Sequence, residues 1–200
     1  MDNGLSDLKK HLGACNLCTT RFAATATGHR PRPVVWFEAT ARLLVAGQAP
    51  GRQVHEIGIP FKDRSGDRLR DWMGVDEVTF YDTSRVAVVP MAFCFPGYTA
   101  NGSDLPPPAI CAETWRARVL GGLPAVRLTL LVGGHAHAWH LGLPSNAKVT
   151  DTVRDWKSRL PDAFPLPHPS WRNTGWLKSN PWFETDLLPE LKARVQEALA

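Results

Sequence analysis

The sequence lacks long apolar runs and low-complexity segments. No window of its 200 residues approaches the roughly 20 uninterrupted apolar residues of a membrane-spanning helix. Its beginning also lacks the charged-then-apolar layout of a secretory signal peptide. We therefore expect a cytoplasmic protein with no membrane partner.

Cysteine is scarce as well, since the chain contains only Cys15, Cys18, Cys94 and Cys111. Disulfides rarely persist in the reducing cytoplasm, so these residues are better candidates for metal ligands or buried thiols than for structural bridges. Taken alone, the four residues leave both of these roles open.

The composition is that of a globular protein, with 44% hydrophobic residues, 21% charged residues and eight tryptophans. The length suffices for one sizeable core, which predicts a single domain over residues 1–200, and we expect it to act as a monomer. The formal net charge is +4, and Arg outnumbers Lys. This balance fits an anionic partner, since Arg suits bidentate phosphate contacts, and it fits an Arg-rich background composition equally well.

Four short runs rich in Val and Leu are each followed by Gly or Pro, which is typical of buried strands in a parallel sheet. Segments with helical spacing between them, including Asp67–Met73 and Cys111–Leu120, suit crossover connections. The expected fold is α/β, a three-layer sandwich with a central, largely parallel four-stranded sheet. The expected strands are Arg42–Ala46, Arg85–Val89, Arg127–Val132 and Ala163–Leu166.

Helices are also expected at both ends of the chain. Ser6 is a candidate N-cap of a first helix that runs toward Cys15, and apolar residues from Leu187 to Leu199 recur at helical spacing. Pro and Gly concentrate in Ala92–Ala109, which we expect to lie outside the core.

Ligands of an open parallel sheet bind beyond the carboxyl ends of its strands. The segments that follow the four expected strands should therefore converge on a site. These segments are Gly47–Gly51, Pro90–Cys94, Gly133–His135 and Pro167–Arg172.

The segment after the first expected strand is rich in Gly. Gly47 and Gly51 bound a tight turn whose backbone N–H groups can approach a ligand, and Phe61 can hold its ring against a flat partner. An ordinary strand-to-helix loop with Phe61 in the core would give the same pattern.

At these residues the sequence resembles the uracil-DNA glycosylase superfamily, and within it the iron-sulfur type called family 4. That type has a first motif G-E-A-P-G, followed by G-x-P-F-x-x-x-x-G, and a second motif H-P-S near the C-terminus. The second motif matches His168-Pro169-Ser170. The positions in register with the first are Gly47, Ala49, Pro50, Gly51, Gly58, Pro60, Phe61 and Gly66.

The resemblance covers roughly residues 10–175 and extends to the cysteines. The family holds a 4Fe-4S cluster with a Cys-x2-Cys pair before the first motif and two further cysteines after the second strand. It implies that Cys15 and Cys18 are that pair and that Cys94 and Cys111 complete the ligand set. A zinc ribbon would carry a second short Cys-x2-Cys pair, which this sequence does not have.

Gln48 and Pro90 depart from the family 4 pattern, and Ala49, which fits it, lacks the carboxylate of the family 1 motif. Gln48 replaces the Glu of family 4, as in a small group of iron-sulfur members with G-Q-A-P-G. Ala49 stands where the family 1 motif G-Q-D-P-Y carries its water-activating Asp. Pro90 stands where family 4 has the Asn that bonds the uracil N3–H and O4 groups. If uracil is the substrate, backbone groups or another side chain must read that edge; the alternative is a different base specificity.

The resemblance implies how the base is bound. Phe61 would stack on a flipped uracil, with Gly47, Ala49 and Ser170 beside it. His168 would donate a hydrogen bond to uracil O2, where negative charge develops. Without the resemblance, His168 would be a capping histidine in a Pro-rich turn.

A water molecule must also be activated. The amide of Gln48 can orient water but has no useful basicity. Asp63 is the nearest carboxylate along the chain and is our candidate for this role, with Glu56 second. A loop carboxylate paired with Arg64 or Arg68 is the alternative for Asp63.

Trp171 and Arg172 follow the second motif, where the superfamily carries the loop that enters the minor groove and fills the gap left by the flipped base. An apolar wedge beside a cation suits that task, and Asn173 is a candidate for a phosphate contact. The alternative for Trp171 is an aromatic side chain packed on the C-terminal helix.

His135, His137 and His140 are spaced closely enough to suggest a metal site. We instead expect this stretch to begin a helix and its histidines to lie on the surface or in the core.

Together these residues imply a monofunctional uracil-DNA glycosylase that flips uracil out of single- or double-stranded DNA, hydrolyses the N-glycosidic bond and starts base excision repair. Neither motif contains a Lys placed to form a Schiff base, although Lys62 is adjacent to Phe61. The alternative is an iron-sulfur protein that binds or covalently traps uracil-containing DNA without turnover. The trapping branch carries a basic insert with a nucleophilic His, and no such insert follows Cys94.

Overall fold

The computed structural model describes residues 2–200 and contains a central sheet with helices on both faces. The strand order is β2-β1-β3-β4, and every neighbouring pair is parallel. The strands are β1 (Leu43–Ala46), β2 (Val86–Val88), β3 (Leu128–Val132) and β4 (Ala163–Leu166). The predicted α/β sandwich with a parallel four-stranded sheet is confirmed.

Helices and helical turns make up the other layers. The longer helices are α1 (Asp2–Gly13), α4 (Arg64–Met73), α6 (Ala109–Gly121) and α10 (Leu188–Leu199). The shorter ones are α2 (Thr19–Ala23), α3 (Arg52–Ile57), α5 (Glu77–Tyr81), α7 (Gly134–Leu141), α8 (Val149–Arg154) and α9 (Thr174–Ser179). Two 3-10 turns cover Trp156–Arg159 and Trp171–Asn173, and a π-helical turn covers Phe183–Leu187. Among residues 2–200, no helix combines the length and apolarity needed to cross a bilayer.

Side chains that alternate between the two faces of the sheet divide the core into two halves. Leu43 and Val45 belong to a cluster with apolar residues of α4 and α10, whereas Leu44 belongs to a cluster with residues of α1 and α6. Successive side chains of a strand point to opposite faces, so each face of the sheet has its own helical layer. Burial on both faces explains why the strands are almost entirely apolar, with Thr129 of β3 as the polar exception.

Two expectations about the chain are wrong. Ser6 does not cap α1 but lies inside it, because Leu5, Leu8 and Leu12 form one apolar face that packs on the core. The Pro- and Gly-rich segment Ala92–Ala109 begins inside the core, since Phe93 and Phe95 are only 1% and 2% exposed.

Backbone hydrogen bonds continue past the ends of β1 and β2. Val89 N donates to Val45 O at 2.9 Å, Met91 N to Gly47 O at 2.8 Å, and Ala92 N to the Gln48 carbonyl at 3.1 Å. The two loops are therefore held side by side at the carboxyl edge of the sheet. This pairing explains the burial of the segment after β2.

Candidate active site

A pocket of about 330 Å³ opens at the carboxyl edge of the sheet. This volume lies at the lower end of the range for small-molecule sites. The segments after β1, β2 and β4 all contribute to its walls, as the sequence predicted. The predicted residues that line it are Gly47, Gln48, Ala49, Phe61, Asp63, His168, Ser170, Trp171 and Arg172, together with Pro90.

The segment after β3 does not line this pocket, contrary to expectation. Gly133 N donates to Leu166 O at 2.9 Å, and a Cβ at Gly133 would lie 3.8 Å from His168 Cβ. The chain then turns into α7, which starts at Gly134. This segment therefore packs against the second motif and not against the pocket. As predicted, His135, His137 and His140 lie in a helix, α7.

Phe61 is held by its backbone and by its ring. Its carbonyl accepts hydrogen bonds from Tyr81 Oη at 3.0 Å and from Arg70 Nη1 at 3.4 Å. Its ring meets the Phe80 ring edge-on at 6.2 Å, and a Cβ at Gly47 would lie 3.4 Å from Phe61 Cζ. Phe61 also has φ +53°, a left-handed conformation that is uncommon for a non-Gly residue. These contacts fix a partly buried aromatic ring in the pocket.

Gly66, the last glycine of the first motif, lies too close to the Phe61 carbonyl for any side chain to fit. A Cβ at Gly66 would lie only 1.7 Å from Phe61 O, so the backbone of α4 and the Phe61 carbonyl could not keep their positions. The glycine of the spaced motif therefore allows the first turn of α4 to pass close to the residue that supports the pocket.

We expect Gly66→Ala to destabilise the protein by about 1–3 kcal/mol, as overpacking of a well-packed site typically does. The measurement is the free energy of unfolding by urea. Gly175→Ala is the matched control, because Gly175 is also helical and a Cβ there meets nothing within 4 Å. Equal stability of the Gly66 variant and the parent would contradict the close approach to Phe61.

His168 is oriented by its neighbours in the second motif. Ser170 N donates to His168 Nδ1 at 3.1 Å, and Asn173 Nδ2 donates to the His168 carbonyl at 2.7 Å. A backbone N–H can only donate, so Nδ1 accepts and the neutral imidazole carries its proton on Nε2. Burial lowers the pKa of His168, although the charges of Asp63 and Asp104 act in the opposite direction. The neutral ring is thus the form present at neutral pH.

Asp63 has a structural contact as well as a place in the pocket. It is the N-cap of α4, and its Oδ1 accepts a hydrogen bond from Gly66 N at 3.0 Å. The ion pairs within residues 2–200 do not join Asp63 to Arg64 or Arg68. Arg68 Nη1 donates instead to the Ser170 carbonyl at 3.0 Å. One carboxylate oxygen is therefore engaged in the cap, while Asp63 also lines the pocket.

Asp104 is a second pocket carboxylate, and sequence reasoning missed it. It pairs with Tyr98 in an isolated antiparallel bridge, and Leu105 N donates to Gly97 O at 2.9 Å. This turn returns the chain to the pocket, where the charge of Asp104 acts on His168. No local motif marks Asp104, because its position depends on the path of the loop.

The loop after the second motif presents Trp171 to solvent. Trp171 is 66% exposed, and the Arg172 guanidinium lies 5.9 Å from the centroid of its ring. The alternative of an indole packed on the C-terminal helix is therefore not observed. Asn173 does not line the pocket within the described residues, and its amide instead supports the His168 carbonyl.

All four cysteines line a second cavity, on the far side of the loop after β2. The remaining walls are apolar and include Leu12, Phe22, Phe93 and Trp115. None of the cysteines forms a disulfide. The fold thus brings the N-terminal pair of cysteines, Cys15 and Cys18, next to Cys94 and Cys111, which are far away in the sequence.

Burial raises the pKa of Cys94 to about 12 and that of Cys111 to about 11, and charges on the other cysteines act in the same direction. These thiols are neutral at pH 7 without a bound cation. Among residues 2–200, no three His, Cys, Asp or Glu side chains are arranged to hold one metal ion.

The sheet order, the pocket at the carboxyl edge and the two motifs on its walls define an α/β protein with a pocket of small-molecule size. Residues 34–192 match the family model of the uracil DNA glycosylase superfamily. The match includes the pocket, both motifs and two of the four cysteines. The chain belongs to the uracil DNA glycosylase superfamily, whose members act on uracil-containing DNA.

Proposed function

We propose that this protein is a monofunctional uracil-DNA glycosylase of the iron-sulfur type, which hydrolyses the N-glycosidic bond of a flipped uracil and starts base excision repair. The observation that carries the proposal is the convergence of Phe61 and His168, from two distant motifs, on one pocket. Membership of the superfamily supports the same reaction type.

The pocket walls suit a flat, polar-edged base. Phe61 would stack on the flipped ring, which is typically worth about 1–3 kcal/mol per base, and Gly47 and Ala49 would lie against its edge. Stacking cannot distinguish uracil from cytosine, so hydrogen bonds must do so. His168 Nε2 carries the proton that would be donated to uracil O2, because Nδ1 is occupied by Ser170 N.

Asp63 is our candidate for activating water, with Gln48 orienting it. Neither role involves Lys62, which is paired with Glu77 and lies 5.5 Å from the centroid of the Tyr81 ring. Lys62 is outside the set of described pocket-lining residues. This placement supports hydrolysis over lyase chemistry through a Schiff base.

We expect Asp63→Asn to lower the single-turnover rate of uracil release by about 100-fold, the lower end of the range for loss of a general base. Asn is as good an N-cap as Asp, so α4 should remain capped. The control is Asp104→Asn, which should stay within about threefold of the parent. Full activity of the Asp63 variant together with a large loss in the Asp104 variant would transfer the role to Asp104.

The exposed indole of Trp171 would enter the minor groove and fill the gap left by the flipped nucleotide. Arg172 beside it would contact the phosphate backbone. Asn173 contributes to this loop through its bond to the His168 carbonyl. The loop therefore joins DNA binding directly to the residue that contacts the base.

The second cavity is the proposed site of a 4Fe-4S cluster, which Cys15, Cys18, Cys94 and Cys111 would hold. Four thiols around one apolar cavity match the usual ligands of such a cluster. When bound, the cluster would cross-link the N-terminal segment to the loop after β2 and to α6.

The test of the proposed function is incubation of anaerobically purified protein with a labelled single strand that contains one uracil, followed by alkali to cut any abasic site. A strand with thymine at the same position is the substrate control, and Phe61→Ala is the pocket control. Cleavage of the uracil strand by the parent and its loss in the variant are expected. A shifted band without cleavage would instead favour a protein that binds or traps uracil-containing DNA.

A further inference from the structure

One arginine of α4 contacts both ends of the exposed turn that carries Trp171. Arg68 Nη1 donates to the Ser170 carbonyl at 3.0 Å, and its Nη2 lies 3.5 Å from Thr174 Oγ1. The 3-10 turn covers Trp171–Asn173, so these two contacts are made with the residue before the turn and the residue after it. A planar guanidinium presents its donors in a fixed fork, which suits two acceptors at a set spacing.

The other side-chain hydrogen bonds of the turn stay within its own segment. Thr174 Oγ1, for example, donates to the Trp171 carbonyl at 2.7 Å. Within residues 2–200, the side-chain hydrogen bonds that join residues 168–174 to another segment come from Arg68. Trp171 is 66% exposed, so packing does not fix the direction of its ring. Arg68 is therefore the side chain that fastens this turn to a different element of the fold.

That element, α4, also supports the stacking wall of the pocket. Its first turn passes close to the Phe61 carbonyl, because a Cβ at Gly66 would lie 1.7 Å from that oxygen. The helix is anchored in the core through Leu69, which is fully buried. Through Arg68, one rigid helix thus sets the position of the Trp171 turn relative to Phe61.

The relative position of these two aromatic side chains matters most in a duplex. A wedge has to reach the gap in the base stack while the flipped base lies in the pocket. In a duplex, stacking and pairing oppose extrusion of the base, whereas a single strand needs less energy to present it. A turn that is already fixed in place also avoids the ordering cost that a loose turn has on binding.

We propose that Arg68 is a positioning residue for duplex substrates, which clamps both ends of the Trp171 turn to α4 and holds the indole in register with a base stacked on Phe61. This inference rests on the proposed glycosylase function. It predicts an effect on one class of substrate, because the chemical step on a single strand needs His168 but depends little on the wedge.

The test compares single-turnover rates of uracil release from a single strand and from a duplex with one U·G pair. Arg68→Met removes the donors and keeps a long side chain with good helix propensity. Trp171→Ala and the double variant complete a double-mutant cycle. Lys178→Met is the control, because it removes the same charge from α9, the helix that follows the turn.

Arg68→Met should lower the duplex rate by about tenfold, as loss of a hydrogen bond from a charged donor typically does, and the single-strand rate by no more than about threefold. Trp171→Ala should lower the duplex rate at least as much. The double variant should be no slower than Trp171→Ala, because Arg68 acts through Trp171. The salt dependence of DNA binding should be unchanged in Arg68→Met, and Lys178→Met should stay within about twofold of the parent on both substrates.

Three results would overturn the inference. Equal losses on the two substrates would mean that Arg68 acts through His168 and not through the wedge. Additive losses in the double variant would separate Arg68 from Trp171. A salt slope of binding that falls by about 1 in Arg68→Met would make Arg68 a direct phosphate contact.

A second variant decides if Arg68→Met does not fold. Thr174 is exposed, so Thr174→Val should fold, and it removes one end of the clamp. A loss of about threefold or more that is confined to the duplex is expected, and a parental duplex rate would contradict the clamp.

A parent protein that releases no uracil from either substrate would refute the proposed function itself. The clamp is then measured by binding to a duplex that contains a stable analogue of an abasic site. Arg68→Met should weaken that binding by about tenfold and leave binding of a single strand unchanged. Equal affinity of the variant and the parent for the duplex would overturn the inference.

Discussion

His168→Ala is expected to lower the single-turnover rate of uracil release by about 100- to 1,000-fold, as removal of a donor to a developing oxyanion typically does. The physical reason is that the hydrogen bond from Ser170 N to Nδ1 leaves the ring proton on Nε2, and His168 lines the pocket. Binding of uracil-containing DNA should change much less, because the donor acts mainly when charge develops on the base. The measurement is uracil release with protein in excess over the labelled strand.

The control for this prediction is His135→Ala. His135 is exposed on α7 and outside the set of described pocket-lining residues, so its variant should match the parent. If the His168 variant stayed within about threefold of the parent, the second motif would not supply the donor to the base.

Cys94→Ser is expected to abolish iron binding and to lower the midpoint of thermal unfolding by about 10 °C. A structural metal group that binds only the folded chain adds its binding free energy to the free energy of unfolding. In a chain of this size, a loss of about 3–4 kcal/mol lowers the midpoint by about 10 °C. Cys94 is buried between the N-terminal cysteines and α6, so its loss should disconnect these segments. Iron content and the unfolding midpoint are the two measurements.

Ile110→Ala is the matched control for the cysteine variant. Ile110 lines the same cavity beside Cys111, is 45% exposed, and carries no ligand atom. Its variant should keep the parental iron content. Full iron content in Cys94→Ser would contradict the assignment of the four cysteines as the ligand set.

The strands could be predicted because their signal is local. Each of the four is a short apolar run, and the expected and observed ranges differ by at most one residue at either end. Ser6 is a residue type that favours helix N-caps but is also found inside helices. Packing of Leu5, Leu8 and Leu12 on the core makes α1 begin before Ser6.

The site was predictable where a motif has a physical cause within the chain. Gly66 and Phe61 are spaced so that a helix can begin against the Phe61 carbonyl, and Ser170 follows His168 at the distance needed to bond Nδ1. Asp104 carries no such signal. It reaches the pocket through the path of a loop, so only the folded chain reveals it.

The most direct test of the account is to count the equivalents of free uracil that each molecule of protein releases. The protein, loaded with iron, is incubated with a large excess of uracil-containing single strand, and free base and any protein–DNA adduct are quantified together. Many equivalents of uracil per protein, with no adduct, are expected for a monofunctional glycosylase. One equivalent with a stable adduct, or no free uracil at all, would contradict it.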